Sequence, residues 1–150
     1  MAVERRELGT GRTLFSTPQC EVEVSRRGGN VLFVRYKGYV TMELLRVIHE
    51  DAEAHLKVLP TIQIFVDSTA LEGYDPGFRE AWAERFKQFR GRVSGFILLR
   101  SPLVKMTLRF VNLLSGNDRA PLEPLSDRAE FDRRLQEAIA AAPGPTPRAS

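Results

Sequence analysis

Three carboxylates, Asp67, Glu72 and Asp75, fall within nine residues, and the hydroxyls of Ser68 and Thr69 lie among them. Clustered oxygens are what a hard cation or an acid–base pair requires. Yet the spacing matches no calcium loop. Asp75 followed by Pro76 is a helix start, with the aspartate as cap and the proline at the first helical position. Asp67 and Glu72 read as a loop cap and a solvated group. His49 and His55, the two histidines, are six apart on one expected helix. That places them about 120° apart around the axis, on no common ligand face. His49 fits a surface pair with Glu53 at i,i+4. Cys20 has no histidine near it in sequence. There is no Gly-x-Ser-x-Gly elbow and no glycine-rich phosphate loop. The expectation is a protein without catalytic residues, metal or cofactor, and not an enzyme.

Alternation and helical spacing give the elements that position these groups. Cys20, Val22 and Val24 alternate with polar residues, and Gly28-Gly29-Asn30 supplies a hairpin turn into a strand from Val31 to Val40. Thr41 caps a helix to about Val58 on the stripe Leu45, Ile48, Ala52, Leu56 and Leu59, and Pro60 ends it. Ile62 to Val66 is a central strand ending at Asp67. A second helix opens at Asp75-Pro76, with Phe78, Trp82, Phe86 and Phe89 along one side. Val93 to Leu99 is a strand, Ser101-Pro102 opens a third helix through Leu114, and Leu122 to Leu125 is a short edge strand between prolines. Ser126 or Asp127 caps a last helix with Phe131, Leu135, Ala138 and Ile139 inward. The predicted order, ββαβαβα(β)α, is an α/β domain at residues 19–141 with about four helices. Its single mixed sheet is largely parallel, with right-handed crossovers. Residues 1–18 read as a flexible lead and 142–150 as a disordered tail.

A chain of 150 residues with 43% hydrophobic and 27% charged residues fits one globular domain. No apolar run reaches the roughly 20 residues of a bilayer span. The N-terminus lacks the apolar core of a secretory signal, and a single cysteine suits a reducing compartment. The expected location is the cytoplasm. The overall charge of +3 conceals an acidic stretch at 43–75, with seven acidic and two basic groups. A basic stretch follows at 76–112, with eight basic and two acidic groups. Such a division can steer a charged partner or support head-to-tail self-association. Nucleic acid is not an expected partner, because no RNA-recognition or helix-turn-helix pattern accompanies the basic groups.

Two stretches resemble the STAS superfamily, the anti-sigma-factor-antagonist fold, which includes a divergent branch grouped with SEC14-like domains. VLFVRYKGYVTMELL, residues 31–45, is similar to the family's second strand, strand-end glycine and first helix. IFVDSTALEGYDPGF, residues 64–78, is similar to its third strand, terminal aspartate, loop and second-helix start. The resemblance spans about residues 19 to 140. In phosphorylatable members an Asp-Ser-Ser-Gly type motif starts the second helix. Asp75 takes the place of its aspartate, and Pro76 and Gly77 take the two serine positions, so the usual phosphoacceptor is missing. Ser68 and Thr69 are the remaining candidate acceptors.

Two surfaces bear on function. The aromatic stripe of Phe78, Trp82 and Phe86 is either core or the lining of a cavity for a lipid or other apolar ligand. The helix at 102–114 carries an apolar arc wider than one buried face requires, with Lys105, Arg109 and Asn112 as its polar stripe. It should meet a partner, a second copy or a lipid interface. The expectation is a bacterial, STAS-like regulatory module that docks a protein partner or forms a homodimer through its second and third helices. The candidate contact residues are Asp75, Arg79, Lys105, Arg109 and Phe110. A lipid or small apolar ligand in the aromatic cavity is the alternative.

Overall fold

In the computed structural model, residues 3–100, 105–106, 109 and 122–141 are described. Along the chain run β1 (Glu4–Gly9), β2 (Arg12–Thr17), β3 (Cys20–Gly28), β4 (Val31–Val40), α1 (Met42–Leu56) and β5 (Ile62–Tyr74). There follow α2 (Phe78–Gln88), β6 (Val93–Leu98), β7 (Leu122–Leu125) and α3 (Arg128–Ala141). The described strands form one seven-stranded sheet whose spatial order is the chain order. The first three pairings, from β1 to β4, are antiparallel. The next three, from β4 to β7, are parallel. The mixed α/β class predicted from sequence is thus the observed one, with three helices among the described residues. The predicted helix at 102–114 lies outside them, except for Lys105, Met106 and Arg109, which are helical.

Each face of the sheet has its own core. On one face Phe15, Val22, Leu32, Val34, Ile64 and Val66 pack under Leu44, Leu45 and Ile48 of α1 and Phe78 and Phe86 of α2. On the other, Val31, Phe33, Phe65 and Leu98 meet Phe131 and Leu135 of α3. Phe131 is fully buried, its ring 6.4 Å from Phe33 and 5.9 Å from Phe65. Burying a side chain of that size contributes about 1.5–3 kcal/mol. The far end of α1 is held by Arg92, whose guanidinium donates to the carbonyls of Leu56, Leu59 and Pro60. The Leu56 carbonyl is one of the acceptors a helix end leaves unpaired, and the other two belong to the turn that follows.

Two boundaries differ from the sequence reading. Residues 4–17, expected as part of a flexible lead, form the β1–β2 hairpin. Its polar composition hid it, because β1 is an exposed edge strand and β2 buries only Thr13 and Phe15. The strand expected to stop at Asp67 continues to Tyr74. The ten-residue β4 extends past Asp67 and offers backbone partners, so Ala70, Leu71, Gly73 and Tyr74 pair with Lys37, Gly38, Tyr39 and Val40. Two register shifts absorb the extra residues. The hairpin at Gly28-Gly29-Asn30 and the Thr41 cap match expectation. The Thr41 side chain accepts from the Leu44 amide at 3.2 Å.

Candidate functional site

In the strand–turn–helix from Asp67 to Phe78, Asp67, Ser68, Thr69 and Asp75 are taken up by hydrogen bonds of the fold itself, while Glu72 is exposed. Asp67 is 3% exposed. One oxygen accepts from the Thr69 amide at 3.0 Å and the Thr69 hydroxyl at 2.7 Å, and the other from Arg128 at 2.9 Å. Burial alone would raise the carboxyl pKa. The two Thr69 bonds and the Arg128 guanidinium outweigh it and hold the group below its ordinary value. Ser68 is also buried, and its hydroxyl donates to the Leu98 carbonyl at 2.7 Å. A kinase would have to open the sheet to reach it. Thr69 is half-buried and tied to Asp67 and Arg128.

Asp75 caps a helix, though not the predicted one. Its carboxylate accepts from the amide of Met42, the first residue of α1, and its own amide donates to Val40. The extension of β5 carries Asp75 alongside the end of β4, where α1 begins. The start of α2 is instead Gly77, at φ 93° and without a side-chain cap, so Pro76 precedes the helix. The Tyr39 hydroxyl also bonds Asp75, which raises the Tyr39 pKa. Among the described residues no three acidic, histidine or cysteine side chains converge as a metal site would require. Cys20 is a buried thiol whose pKa burial pushes up to about 11, far from a reactive thiolate.

The aromatic stripe is a packed ladder. Tyr74 stacks on Phe78 at 4.4 Å, Phe78 meets Trp82 at 6.4 Å, and Trp82 stacks on Phe86 at 5.3 Å. The cavity beside Trp82 and Phe86 holds only about 40 Å³. A small-molecule site usually offers about 300 Å³ or more. The expected ligand cavity on this stripe is filled by its own rings.

Between α1 and α2 lies a polar clamp that sequence spacing did not show. His49, expected on the surface beside Glu53, is 5% exposed. Arg85 of α2 donates to His49 Nδ1 at 3.3 Å and pairs with Glu53. The imidazole meets Trp82 edge to face at 4.8 Å. Burial, with the Arg85 charge beside it, pulls the His49 pKa down to about 3, so the ring is neutral near pH 7. With Nδ1 accepting, the proton sits on Nε2, which has no hydrogen-bond partner among the described residues. A buried donor left so costs about 1–3 kcal/mol. Outside the clamp the two helices border a surface cleft of about 550 Å³.

The remaining candidates are dispersed. Arg79 is exposed near the start of α2, and Lys105 and Arg109 are exposed on helical residues. Between those two, Met106 is 66% exposed. Phe110 lies outside the described residues. Arg128, the buried-carboxylate partner, was missed because a lone arginine after Asp127 carries no periodic signal. Only the tertiary fold brings it to Asp67.

No protein-family model and no curated protein sequence matches this chain. Solved structures do. An anti-sigma factor antagonist from Mycobacterium paratuberculosis superposes with a TM-score of 0.55 at 15% identity, over 81% of this chain and 98% of that one. An uncharacterised protein with a SpoIIAA-like fold from Shewanella loihica gives 0.52 at 17%, over 80% and 97%. The anti-sigma factor antagonist SpoIIAA in its unphosphorylated form gives 0.54 at 13%, over 75% and 94%. The fold is therefore SpoIIAA-like.

Proposed function

We propose that this chain is a non-enzymatic regulatory module of the STAS type, acting in the cytoplasm. It docks a protein partner or a second copy of itself through α2 and the helical residues Lys105, Met106 and Arg109. The observation that carries this reading is Met106, a large apolar side chain 66% exposed between two exposed cations. Apolar contact ringed by charge is the composition of a docking surface. The side chains that could serve chemistry are meanwhile engaged inside the fold, Asp67 with Arg128 and Ser68 with Leu98. The likeness of fold to anti-sigma factor antagonists agrees with a regulatory role. In this reading Asp75 shapes the docking edge as a helix cap, and Arg79, Arg109 and Phe110 contribute contacts. Pro76 and Gly77 occupy the positions of the family's phosphoserine motif, so docking does not depend on phosphorylation there. No described helix is long and apolar enough to cross a membrane.

The test is a charge reversal, Lys105→Glu with Arg109→Glu, in the full chain. Both side chains are exposed, so the melting temperature should stay within a few degrees of wild type. Native mass spectrometry and affinity capture should then show loss of the dimer or of a defined partner. A variant that keeps every association of the wild type removes this surface from the proposal.

A further inference from the structure

On one face of the sheet α3 packs over Val31, Phe33, Phe65 and Leu98, and no described helix covers β2 and β3 there. A row of alternating charge runs across this face. Side chains alternate along a strand, so Arg35 of β4 lies on the same side as Phe33. Its register partners are Glu23 of β3 on one flank and Asp67 of β5 on the other. Arg12 of β2 donates to one Glu23 oxygen at 3.1 Å, and Arg35 donates to the other at 2.7 Å. Asp67 in turn accepts from Arg128 at the start of α3. From β2 to α3 the order is Arg12, Glu23, Arg35, Asp67, Arg128.

The two signs are not equally presented. Glu23 and Asp67 are buried, whereas the side chains of Arg12, Arg35 and Arg128 are each about half exposed. The surface therefore shows the cations and hides the anions. Among the described residues each of these guanidiniums bonds through a single nitrogen, Nε of Arg12 and a terminal nitrogen of Arg35 and of Arg128. Their other N–H groups have no described acceptor, and a guanidinium is suited to receive carboxylates on them. The buried carboxylates already hold the three side chains in place, so a partner meeting them costs little further side-chain freedom. Further along β4, exposed Lys37 stands opposite exposed Glu21 and adds no net charge.

This arrangement selects a partner whose negative charges are sparse. β2 and β4 lie two strand spacings apart, about 10 Å, an interval at which a polypeptide readily places carboxylates. The closely spaced phosphates of a nucleic acid would fall over Glu23 and Asp67 as well as over the arginines. We propose that this open face docks an acidic segment of a partner protein, whose carboxylates take the remaining N–H donors of Arg12, Arg35 and Arg128. It lies across the sheet from α1 and α2, so it is a second surface and not part of the α2 docking surface.

The full-length protein is titrated by fluorescence anisotropy with a labelled peptide of ten glutamates, at pH 7 and about 50 mM salt. A ten-glutamine peptide and a ten-nucleotide thymidine strand serve as comparisons. Expected are saturable binding of the glutamate peptide, at least tenfold tighter than the glutamine peptide, and a steady loss of affinity as salt is raised. Arg12→Gln and Arg35→Gln should each weaken the glutamate peptide at least threefold. Arg46→Gln, exposed on α1 across the sheet, should leave its affinity unchanged. In nitrogen-resolved NMR spectra of the wild type the Nε–H resonances of Arg12, Arg35 and Arg128 should move on titration. Absence of saturation overturns the proposal, as does wild-type affinity in both glutamine variants or an affinity that ignores salt. A thymidine strand bound as tightly as the glutamate peptide would mean adhesion to any polyanion and also overturns it. If the glutamine variants do not fold, the wild-type resonances decide, and arginine Nε–H signals that stay in place at saturation overturn the assignment.

Discussion

The carboxylate of Asp75 accepts the backbone amide of Met42 at 2.9 Å, so a residue placed just before α2 caps α1. With Thr41 already serving the Leu44 amide, the two side chains satisfy two of the four donors that a helix start leaves unpaired. Asp75→Ala should therefore destabilise the fold by about 1 kcal/mol, and lower the melting temperature by about 2–4 °C. Hydrogen exchange should rise at the first turn of α1 and not at the start of α2. Faster exchange confined to α2 would refute the cross-strand cap.

Arg128→Ala leaves the Asp67 carboxylate buried with only its Thr69 bonds. The arginine is half-exposed, which moderates the loss to about 1–2 kcal/mol by urea unfolding at pH 7. The folded carboxyl holds its proton less tightly than the unfolded one, whose ordinary value is 3.8. Its contribution is complete above that value and is lost as pH falls through the depressed folded value. The gap between wild type and variant should close at strongly acid pH. A gap that stays constant down to pH 2 would show that Arg128 acts through packing alone.

His49 has the same sign for a different reason. Its folded pKa, near 3, lies below the ordinary 6.5, so between these values the unfolded chain takes up the proton first. Stability is complete above pH 6.5 and declines steadily as the solution is acidified. The urea midpoint of the wild type should drop between pH 7 and pH 5, and His49→Phe should flatten that slope. Parallel slopes in the two proteins would mean that another group carries the dependence.

Gly38 sits at φ 99°, and a β-carbon there would lie 2.3 Å from the Gln19 carbonyl oxygen. Gly38→Ala should cost at least ~2 kcal/mol, from both strain and collision. A thermal melt compared with wild type checks it directly. A loss below 0.5 kcal/mol would show that the β3–β4 end can shift without penalty.

The central elements were legible because each follows one local rule. Thr41 before an apolar stripe, Gly28-Gly29-Asn30 between alternating runs, and Ile62 to Val66 all declare themselves within a few residues. What escaped depended on neighbours distant in the chain. Tyr74 is strand because Val40 lies beside it, and Asp75 is a cap for α1 because that strand delivers it there. His49 looked like surface beside Glu53, yet Arg85 from α2 claims both side chains. The β1–β2 hairpin, with Phe15 as its one fully buried apolar side chain, had almost no periodic signal to give.

Because the strands lie side by side in the order of synthesis, each can find its partner in the segment made just before it. The sheet can grow at one advancing edge, first by hairpin and then by crossover. No late strand must be threaded between two already paired. The hairpins close short loops at low entropic cost, whereas each parallel pairing must close a longer crossover and forms more slowly. A nascent chain ending after β5 would already own the hairpins and the first parallel pair. Assembly during translation then needs only the last strands and α3 to cover the second core.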